Sequence, residues 1–302
     1  QFEIREPQHN LLQPVLELAS GTITEALAGK PRDFIRIAGV CGHTAQAVKE
    51  AELARSHGYH AALLSMAAWK ADPKKEILSH CRRVAKVMPI IGFYLQTAVG
   101  GREFSPDFWR RFAAIEDVVA IKIAPFDRFR TINVVRAIAE SGREDIALYT
   151  GNDDNIVIDL LTPFRFKIGR KMVERRIVGG LLGHWGVWTR AAVELFERIQ
   201  VQRERGIMSA EWLTTAAAVT DMNAAVFDPA NRFAGCIPGI LEVLRREKLV
   251  PTNLCLNPDE TLSPGQAQEL DRVCAAYPHL TDDAFVRANL DRWLERETAA
   301  VF

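Results

Sequence analysis

The sequence predicts an α/β protein in which a parallel sheet is covered on both faces by helices. Six short runs rich in Val, Ile, Leu and aromatic residues recur, and their starts lie roughly 27 to 32 residues apart, the length of a βα unit. These runs are Phe34–Val40, Ala61–Met66, Pro89–Gln96, Val118–Ala124, Ile146–Thr150 and Ile177–Leu182. Strands that are almost continuously apolar and each followed by a helix indicate a parallel sheet. Six strands fit either an open doubly wound sheet or an eight-stranded barrel short of two strands.

Helical periodicity fills the stretches between these runs. Ser105 and Pro106 predict an N-cap and a first-turn proline for one of the helices. Another helix, from about Pro7 to Ala28, precedes the first strand. The remaining helices of this part of the chain are predicted over Ala45–His57, Pro73–Val87, Thr131–Ser141 and Ala191–Arg205.

The alternation of strands and helices stops after Arg205. Only helical patterns follow, over Glu211–Ala225, Ile240–Lys248, Gln266–Ala276 and Asp282–Thr298. We therefore expect two regions: a catalytic barrel domain over residues 1–205, and a C-terminal helical region over residues 206–302.

Composition excludes several classes of protein. The 38 Lys and Arg residues balance 38 Asp and Glu residues, so the chain lacks the positive field that non-specific nucleic-acid binding needs. No apolar run is long enough to span a membrane, and the polar start of the chain is unlike a secretory signal. Five scattered cysteines without a C-x-x-C pair fit neither a disulfide framework nor a zinc site. The expected class is a cytoplasmic enzyme without a metal.

Lys122 is the most informative candidate residue. It interrupts the apolar run Val118–Ala124, and strand alternation places it on one face with Ala120 and Ala124. Small neighbours leave room around an amine, and burial lowers the pKa of a lysine, as an imine-forming nucleophile requires. The alternatives are a lysine that extends from a strand end to solvent and one that pairs with a carboxylate.

Polar residues at the ends of other strands are further candidates. Tyr94 could move a proton, or it could be a core tyrosine with a satisfied hydroxyl. Gly151, Asp153 and Asp154 could contact a hydroxylated substrate, or they could form an ordinary turn or helix start. The pair at positions 179 and 180 (Gly179 and Gly180) predicts a close approach to the backbone, by a ligand carboxylate or by tight packing.

Three of these segments together resemble the dihydrodipicolinate synthase/N-acetylneuraminate lyase family. Tyr94 ends one strand, Lys122 lies in "VVAIKIAPFD" and "ALYTGNDD" follows, whereas the strands of that family read approximately Y-N-V-P, G-I-K-E-A and L-S-G-D-D. The segment "IAGVCGHTAQAVKEAELARSHGYHAALLSM" is also similar to the family's sequence. The resemblance covers roughly residues 34 to 185.

The resemblance implies a (β/α)8 TIM barrel with a C-terminal helical extension, whose lysine forms a Schiff base with a 2-oxo acid, usually pyruvate. By position, Lys122 is then the imine-forming residue and Tyr94 the proton relay. Gly151, Asp153 and Asp154 would meet the distal part of the substrate, and the backbone at Gly179 and Gly180 would receive its carboxylate. No metal or organic cofactor is implied, and a homo-oligomer, a dimer or tetramer, is expected.

Three departures from the family pattern limit what can be carried over. The G-T-T-G-E motif is absent, and Gln1 resembles a residue just after it, so we expect the first two barrel strands to be missing from this chain. Leu95–Gly101 lacks the arginine that grips the second substrate of the synthase, which disfavours true dihydrodipicolinate synthesis. Lys122 is followed by Ile-Ala-Pro instead of Glu-Ala.

The leading hypothesis is therefore a Schiff-base lyase or aldolase for a 2-oxo acid. The alternatives are a dehydratase of a deoxy-keto sugar acid that uses the same imine, and a non-catalytic binder of 2-oxo acids. An oxidoreductase on an open sheet is disfavoured because Gly39–Thr44 lacks the G-x-G-x-x-G spacing of dinucleotide sites.

Overall fold

A computed structural model describes residues 3–70, 72–181 and 183–298, and its main sheet has six strands. The strand order is β1-β2-β3-β4-β5-β8, and the three successive pairs from β1 to β4 are parallel. The strands are β1 (Ile37–Val40), β2 (Ala61–Leu64), β3 (Ile90–Leu95), β4 (Val118–Ala124), β5 (Ala147–Thr150) and β8 (Gly179–Gly180). Each falls within one of the six predicted runs, which confirms the α/β fold.

A two-stranded antiparallel hairpin lies between β5 and β8 in the chain. It consists of β6 (Phe164–Ile168) and β7 (Lys171–Arg175), joined at Gly169, which has φ +59°. This hairpin is not among the elements predicted from the sequence. Its residues alternate between partly buried and exposed side chains, so it lacks the continuous apolar run that marks the strands of the main sheet.

Eleven α-helices occur in the described residues, and all those predicted from the sequence are present. Ser105 caps α4 as expected, since its hydroxyl accepts a hydrogen bond of 3.3 Å from the Phe108 amide, and Pro106 begins the helix. No described helix has both the length and the apolar character that a membrane crossing requires. The helices are α1 (Leu12–Gly29), α2 (Thr44–Ser56), α3 (Lys74–Ala85), α4 (Pro106–Ala113), α5 (Arg128–Ser141), α6 (Ile156–Leu161), α7 (Thr189–Glu204), α8 (Glu211–Phe227), α9 (Cys236–Arg246), α10 (Gln266–Ala276) and α11 (Asp283–Thr298).

The chain divides into two compact units. The first contains residues 1–149 and 163–179, and the second contains residues 150–162 and 180–302. The first unit therefore holds β1 to β4 with their helices, and the second holds α6 and the helices from α7 onward. The C-terminal helices are present as predicted, although α7 belongs to the second unit, whereas the predicted boundary after residue 205 assigns it to the barrel domain.

The second unit is held together where α9 packs on the C-terminal part of α8. Gly239 of α9 is buried, and a Cβ atom at this position would lie 2.1 Å from the carbonyl oxygen of Val226. The same atom would lie 2.7 Å from the side-chain nitrogen of Gln266, which donates hydrogen bonds to the Val226 and Gly235 carbonyls. The missing side chain of Gly239 thus permits this close approach of two helices.

Replacing Gly239 by alanine is expected to lower the free energy of unfolding by about 3 kcal/mol, because backbone would have to move to relieve the overlap. Urea unfolding followed by circular dichroism measures the loss. Gly21 in α1 is the matched control, since a Cβ there meets nothing within 4 Å. Gly21→Ala should stabilise the helix by about 0.5–1 kcal/mol. Equal effects at the two glycines would contradict the packing argument.

Candidate functional site

Lys122 lies on the inner face of the sheet in the first unit. Its neighbour across the β3–β4 pair is Phe93, and its amine nitrogen sits 4.4 Å from the centre of the Phe93 ring. Ile121 and Ile123, which flank Lys122, are fully buried on the opposite face, as the alternation predicts. Lys122 itself is partly buried. A cation above the face of an aromatic ring is stabilised by the quadrupole of that ring, so Phe93 positions the amine.

Next to Lys122, the inner face of the sheet carries small and apolar side chains. Ala61, Ile91 and Ala120 form a buried cluster there, against which Tyr149 and Leu63 also pack. A cavity of about 370 Å³ adjoins this face, and Phe93, Leu63 and Ser65 are among the residues that line it. The space next to Phe93 is therefore of the size that small-molecule sites have.

Tyr94 lies on the other face of β3. Its ring packs against Trp109, with 5.2 Å between ring centres, and against Phe104, with 6.1 Å between ring centres. Only 2% of the side chain is exposed, and burial raises the pKa of the Tyr94 hydroxyl, while a backbone hydrogen bond at Phe104 acts against this rise. Gly92 on the same face leaves space for the Phe112 ring.

The structure thus does not bring Tyr94 and Lys122 together. Each is on its predicted strand, but their side chains point to opposite faces, and Tyr94 has the packing of the core tyrosine that the sequence left as an alternative. The proton-relay role of Tyr94 stays a prediction drawn from the family resemblance. The contacts of its ring with the α4 side favour the packing role.

An irregularity in β4 explains why Phe93, not Tyr94, pairs with Lys122. Ile90 pairs with Val118, but the next residue, Ile91, pairs with Ala120, so Val119 is an extra residue in the strand. Val119 is 40% exposed, as a bulged residue in an otherwise buried strand can be. In an unbroken register Tyr94 would lie opposite Lys122. The bulge shifts this pairing by one residue.

Tyr149 is a second polar side chain on the inner face, and the sequence analysis did not select it. It packs on the cluster of Ala61, Ile91 and Ala120. Its ring also lies against Gly179, where a Cβ atom would be 3.0 Å from Cε1 of the ring. The glycine at 179 therefore makes room for Tyr149, which supports the tight-packing alternative for this residue. The signal in the sequence was the alternation of Ala147 and Tyr149 with Leu148 and Thr150.

The predicted substrate-binding residues after β5 belong to the second unit. Gly151 is buried, Asp153 is partly buried and Asp154 is exposed. The Asp153 carbonyl accepts a hydrogen bond of 2.8 Å from Asn223, and the Asp154 carbonyl accepts one of 3.0 Å from Thr220. Helix α8 thus holds the backbone of this turn. Gly180, at the end of β8, is also in the second unit and is partly buried.

Asp159 organises the same turn and was not found by sequence reasoning. Its buried carboxylate accepts hydrogen bonds from the Thr150 hydroxyl at 2.7 Å, the Asn152 amide group at 2.9 Å and the Asn155 amide group at 2.9 Å. The residue lies in the short apolar helix α6, where a single acid among Ile, Val and Leu was the available signal. Three donors from one loop make this carboxylate the fixed centre of the turn.

Replacing Asp159 by alanine is expected to reduce the free energy of unfolding by about 3 kcal/mol, because two buried donors and one partly buried donor lose their acceptor. Asp159→Asn retains the size and one acceptor oxygen, so its cost should be about half as large. Urea unfolding of the two variants beside the original chain tests this order. If alanine costs no more than asparagine, the hydrogen bonds do not stabilise the turn.

The titratable groups of the described residues form no metal centre. Within the described ranges, no cluster of three or more His, Cys, Asp or Glu side chains is arranged to hold a metal ion. The five cysteines are free thiols, and burial raises the pKa of Cys81 to about 12 and that of Cys41 to about 11. Neither of these two thiols is therefore ionised near neutral pH, and Lys122 stays the strongest nucleophile candidate.

Part of the chain matches a known protein family. Residues 31–163 match the model of the dihydrodipicolinate synthetase family. None of the curated proteins compared with the chain matches it.

Several solved structures are similar over most of the chain. The dihydrodipicolinate synthase of Thermotoga maritima has a TM-score of 0.67 and 18% identity, covering 87% of this chain and 81% of that one. The synthase of Bacteroides thetaiotaomicron has a TM-score of 0.66 and 13% identity, covering 88% and 81%. CdNal of Clostridium difficile, solved in complex with mannosamine, has a TM-score of 0.65 and 14% identity, covering 88% and 80%.

These structures establish a shared fold, since identities this low carry no more than that. The six-stranded parallel sheet with its helices corresponds to the barrel of these proteins, and the expected fold class is confirmed. The family match covers β1 to α6, the segment that holds Lys122 and the turn around Asp159. By this match over residues 31–163 and by its fold, the chain is similar to the dihydrodipicolinate synthetase family.

Proposed function

We propose that this protein is a Schiff-base-forming lyase or aldolase that acts on pyruvate or a related 2-oxo acid through Lys122. The observation that carries the proposal is the position of Lys122 on the inner face of β4, with its amine 4.4 Å from the Phe93 ring centre. A partly buried amine among alanines, above a ring that lines a small cavity, is suited to nucleophilic attack on a ketone. The similarity of residues 31–163 to the dihydrodipicolinate synthetase family supports the same reaction class.

The chemistry follows from the amine. Lys122 attacks the ketone carbon of the 2-oxo acid, water leaves, and a protonated imine forms. This cation withdraws electrons from the neighbouring carbon, which can lose a proton or a carbon substituent to give an enamine. The enamine can then add to an aldehyde, or the reverse reaction can cleave a C–C bond.

The predicted substrate-binding residues keep their assigned roles as parts of this proposal. Gly151, Asp153 and Asp154 would contact the distal part of the substrate, and the backbone at Gly179 and Gly180 would receive the carboxylate. The hydrogen bonds from Asn223 and Thr220 support a fixed geometry for the two aspartates. No cofactor is assigned, and a homo-oligomeric assembly in the cytoplasm belongs to the same proposal.

A second candidate is a non-catalytic binder of 2-oxo acids. It is favoured by one observation, that the side chain directly opposite Lys122 is the hydroxyl-free ring of Phe93. A dehydratase of a deoxy-keto sugar acid would use the same imine and differs from the first proposal only in the bond that the enamine breaks.

Borohydride trapping with pyruvate tests the proposal. Reduction fixes an imine as a stable secondary amine, which mass spectrometry of tryptic peptides can locate. Because a modified lysine resists trypsin, a Lys122 adduct leaves the peptide Phe112–Arg128 uncut. Lactate, which has no ketone, is the control and should give no adduct.

The expected result is an adduct on this peptide with pyruvate and none with lactate. Folded protein that forms no adduct with pyruvate or with a panel of 2-oxo acids would overturn the lyase proposal. Calorimetric binding of pyruvate without an adduct would then support the binder.

A further inference from the structure

The inner faces of β3, β4 and β5 carry few polar atoms. By their pairing and packing, the side chains on this face are those of Ile91, Phe93 and Leu95, of Ala120, Lys122 and Ala124, and of Ala147 and Tyr149. Within these three strands, all of which are described, Tyr149 is the one residue on this face that has a hydroxyl group. Lys122 is the one residue on it that has an amine.

Strand order places the two residues close to each other. β5 is the neighbour of β4 in the sheet, and Tyr149 packs on the cluster that includes Ala120, the residue next to Lys122 on the same face. Lys122 is two residues from the end of β4 and Tyr149 is one residue from the end of β5. Both therefore belong to the carboxyl ends of parallel strands, where enzymes of this architecture carry out their chemistry.

The ring of Tyr149 is held in position by its surroundings. The cluster of Ala61, Ile91 and Ala120 supports it on one side, and the missing side chain of Gly179 makes room for it on the other. A side chain that is packed in this way presents its hydroxyl in a defined direction, which proton transfer requires.

The geometry points to Tyr149 as the hydroxyl that transfers protons during imine and enamine formation at Lys122. This inference rests on the proposed function and extends it to a residue for which neither the sequence pattern nor the family resemblance gave a role. Tyr94 has the alternative claim to that role, but it packs on the opposite face against Trp109.

Tyr149 alone can donate the proton that the departing hydroxyl needs and later accept a proton from the substrate. Attack of the Lys122 amine on the ketone gives a carbinolamine after a proton moves from nitrogen to oxygen. Tyr149 donates its phenolic proton to the departing hydroxyl, which leaves as water, and an iminium ion remains. The Tyr149 phenolate then removes a proton from the methyl carbon of the bound pyruvate. The products are the enamine and a neutral Tyr149.

Two readouts separate this step from imine formation as such. Borohydride trapping reports the imine on Lys122, and exchange of the pyruvate methyl protons in D₂O, followed by NMR, reports the enamine. The exchange rate is corrected for the rate in the presence of Lys122→Ala. Tyr149→Phe should reduce the corrected rate by about 100-fold or more, the usual range for loss of a general acid–base group. It should still yield the trapped adduct after long incubation.

Two further variants decide between residues and between roles. Tyr94→Phe makes the same change on the opposite face, so a loss of exchange there but not in Tyr149→Phe would overturn the inference in favour of Tyr94. The double variant Phe93→Tyr with Tyr149→Phe returns a hydroxyl to the face of Lys122 and should restore part of the exchange. A merely structural role of Tyr149 would not be rescued in this way.

The outcomes also separate this inference from the proposed function. If the original chain gives neither adduct nor exchange, the proposed function has failed and this step with it. If the original chain gives both and Tyr149→Phe exchanges at an equal rate, the proposed function stands and Tyr149 is not the proton-transfer residue. Tyr277→Phe, which removes a hydroxyl bonded to Asp221 in the second unit, controls for the general effect of losing a phenol.

Discussion

Replacement of Lys122 by alanine is expected to abolish the borohydride-trapped adduct and to slow pyruvate methyl exchange by at least about 1,000-fold. Removal of a covalent nucleophile costs this much because no other group can form the intermediate. The fold should tolerate the change well, since Ala120 and Ala124 already occupy the same face of β4. Peptide mass spectrometry and NMR exchange rates measure the two effects.

Two matched variants make this result specific. Lys122→Arg keeps a cation above the Phe93 ring but cannot form an imine, so it should be as inactive as alanine. Lys86→Ala removes an exposed lysine at the end of α3 and should leave adduct and exchange unchanged. Activity retained by Lys122→Arg would mean that the amine acts through its charge and not as a nucleophile.

The second large effect is expected in the pH dependence of stability, at Glu247 in the second unit. Glu247 is 9% exposed at the C-terminal end of α9. Burial and the nearby carboxylates of Asp282 and Asp283 raise its pKa to about 8. Asp282 is itself held by a hydrogen bond of 2.7 Å from the Arg190 amide to its carboxylate.

The sign follows from which state binds the proton more tightly. The pKa of Glu247 in the folded chain, about 8, lies above its ordinary value of 4.5, so the folded state keeps the proton when the unfolded state has lost it. Stability is therefore highest at low pH with respect to this group, falls as the pH rises above about 5, and levels off beyond about 8. The full shift corresponds to a loss of about 5 kcal/mol, and screening by solvent makes the actual loss smaller.

Replacing Glu247 by glutamine should remove this loss, because the amide has no proton to release. Urea unfolding at pH 6 and pH 9 gives the difference in stability for each protein, and the difference should be smaller in Glu247→Gln. Glu211→Gln at the exposed start of α8 is the control and should leave the difference unchanged. Identical pH dependence in Glu247→Gln and the original chain would show that Glu247 does not titrate as described.

Much of the architecture could be predicted because it depends on local patterns. All six strands of the main sheet coincide with apolar runs, and helices such as α4 begin at their predicted caps. The hairpin β6–β7 could not be found in this way, since charged residues interrupt the apolar ones in both strands. Its partial exposure removes the signal that buried strands give.

The lysine of the candidate site could be predicted from the sequence, whereas most of the residues around it could not. Ala120, Lys122 and Ala124 alternate with branched residues, so the position of the amine could be derived from strand geometry. Phe93 could not be selected as its neighbour, because nothing in the sequence marks Val119 as an extra residue. Asp159 could not be selected either, because its hydrogen-bond donors come together only once the turn has folded.

The extra residue at Val119 reverses the alternation of inward-facing and outward-facing side chains in the rest of β4. Val118 pairs with Ile90 on the helix side of the sheet, yet Ala120, whose number is also even, faces inward. Even-numbered residues of β4 therefore face the helices before Val119 and face inward after it. One inserted or deleted residue can thus change which aromatic side chain accompanies a reactive lysine while every residue type stays the same. The solved structures with a similar fold are only 13–18% identical to this chain. At such low identity, equivalent residues are better identified from the pairing of strands than from distance along the chain.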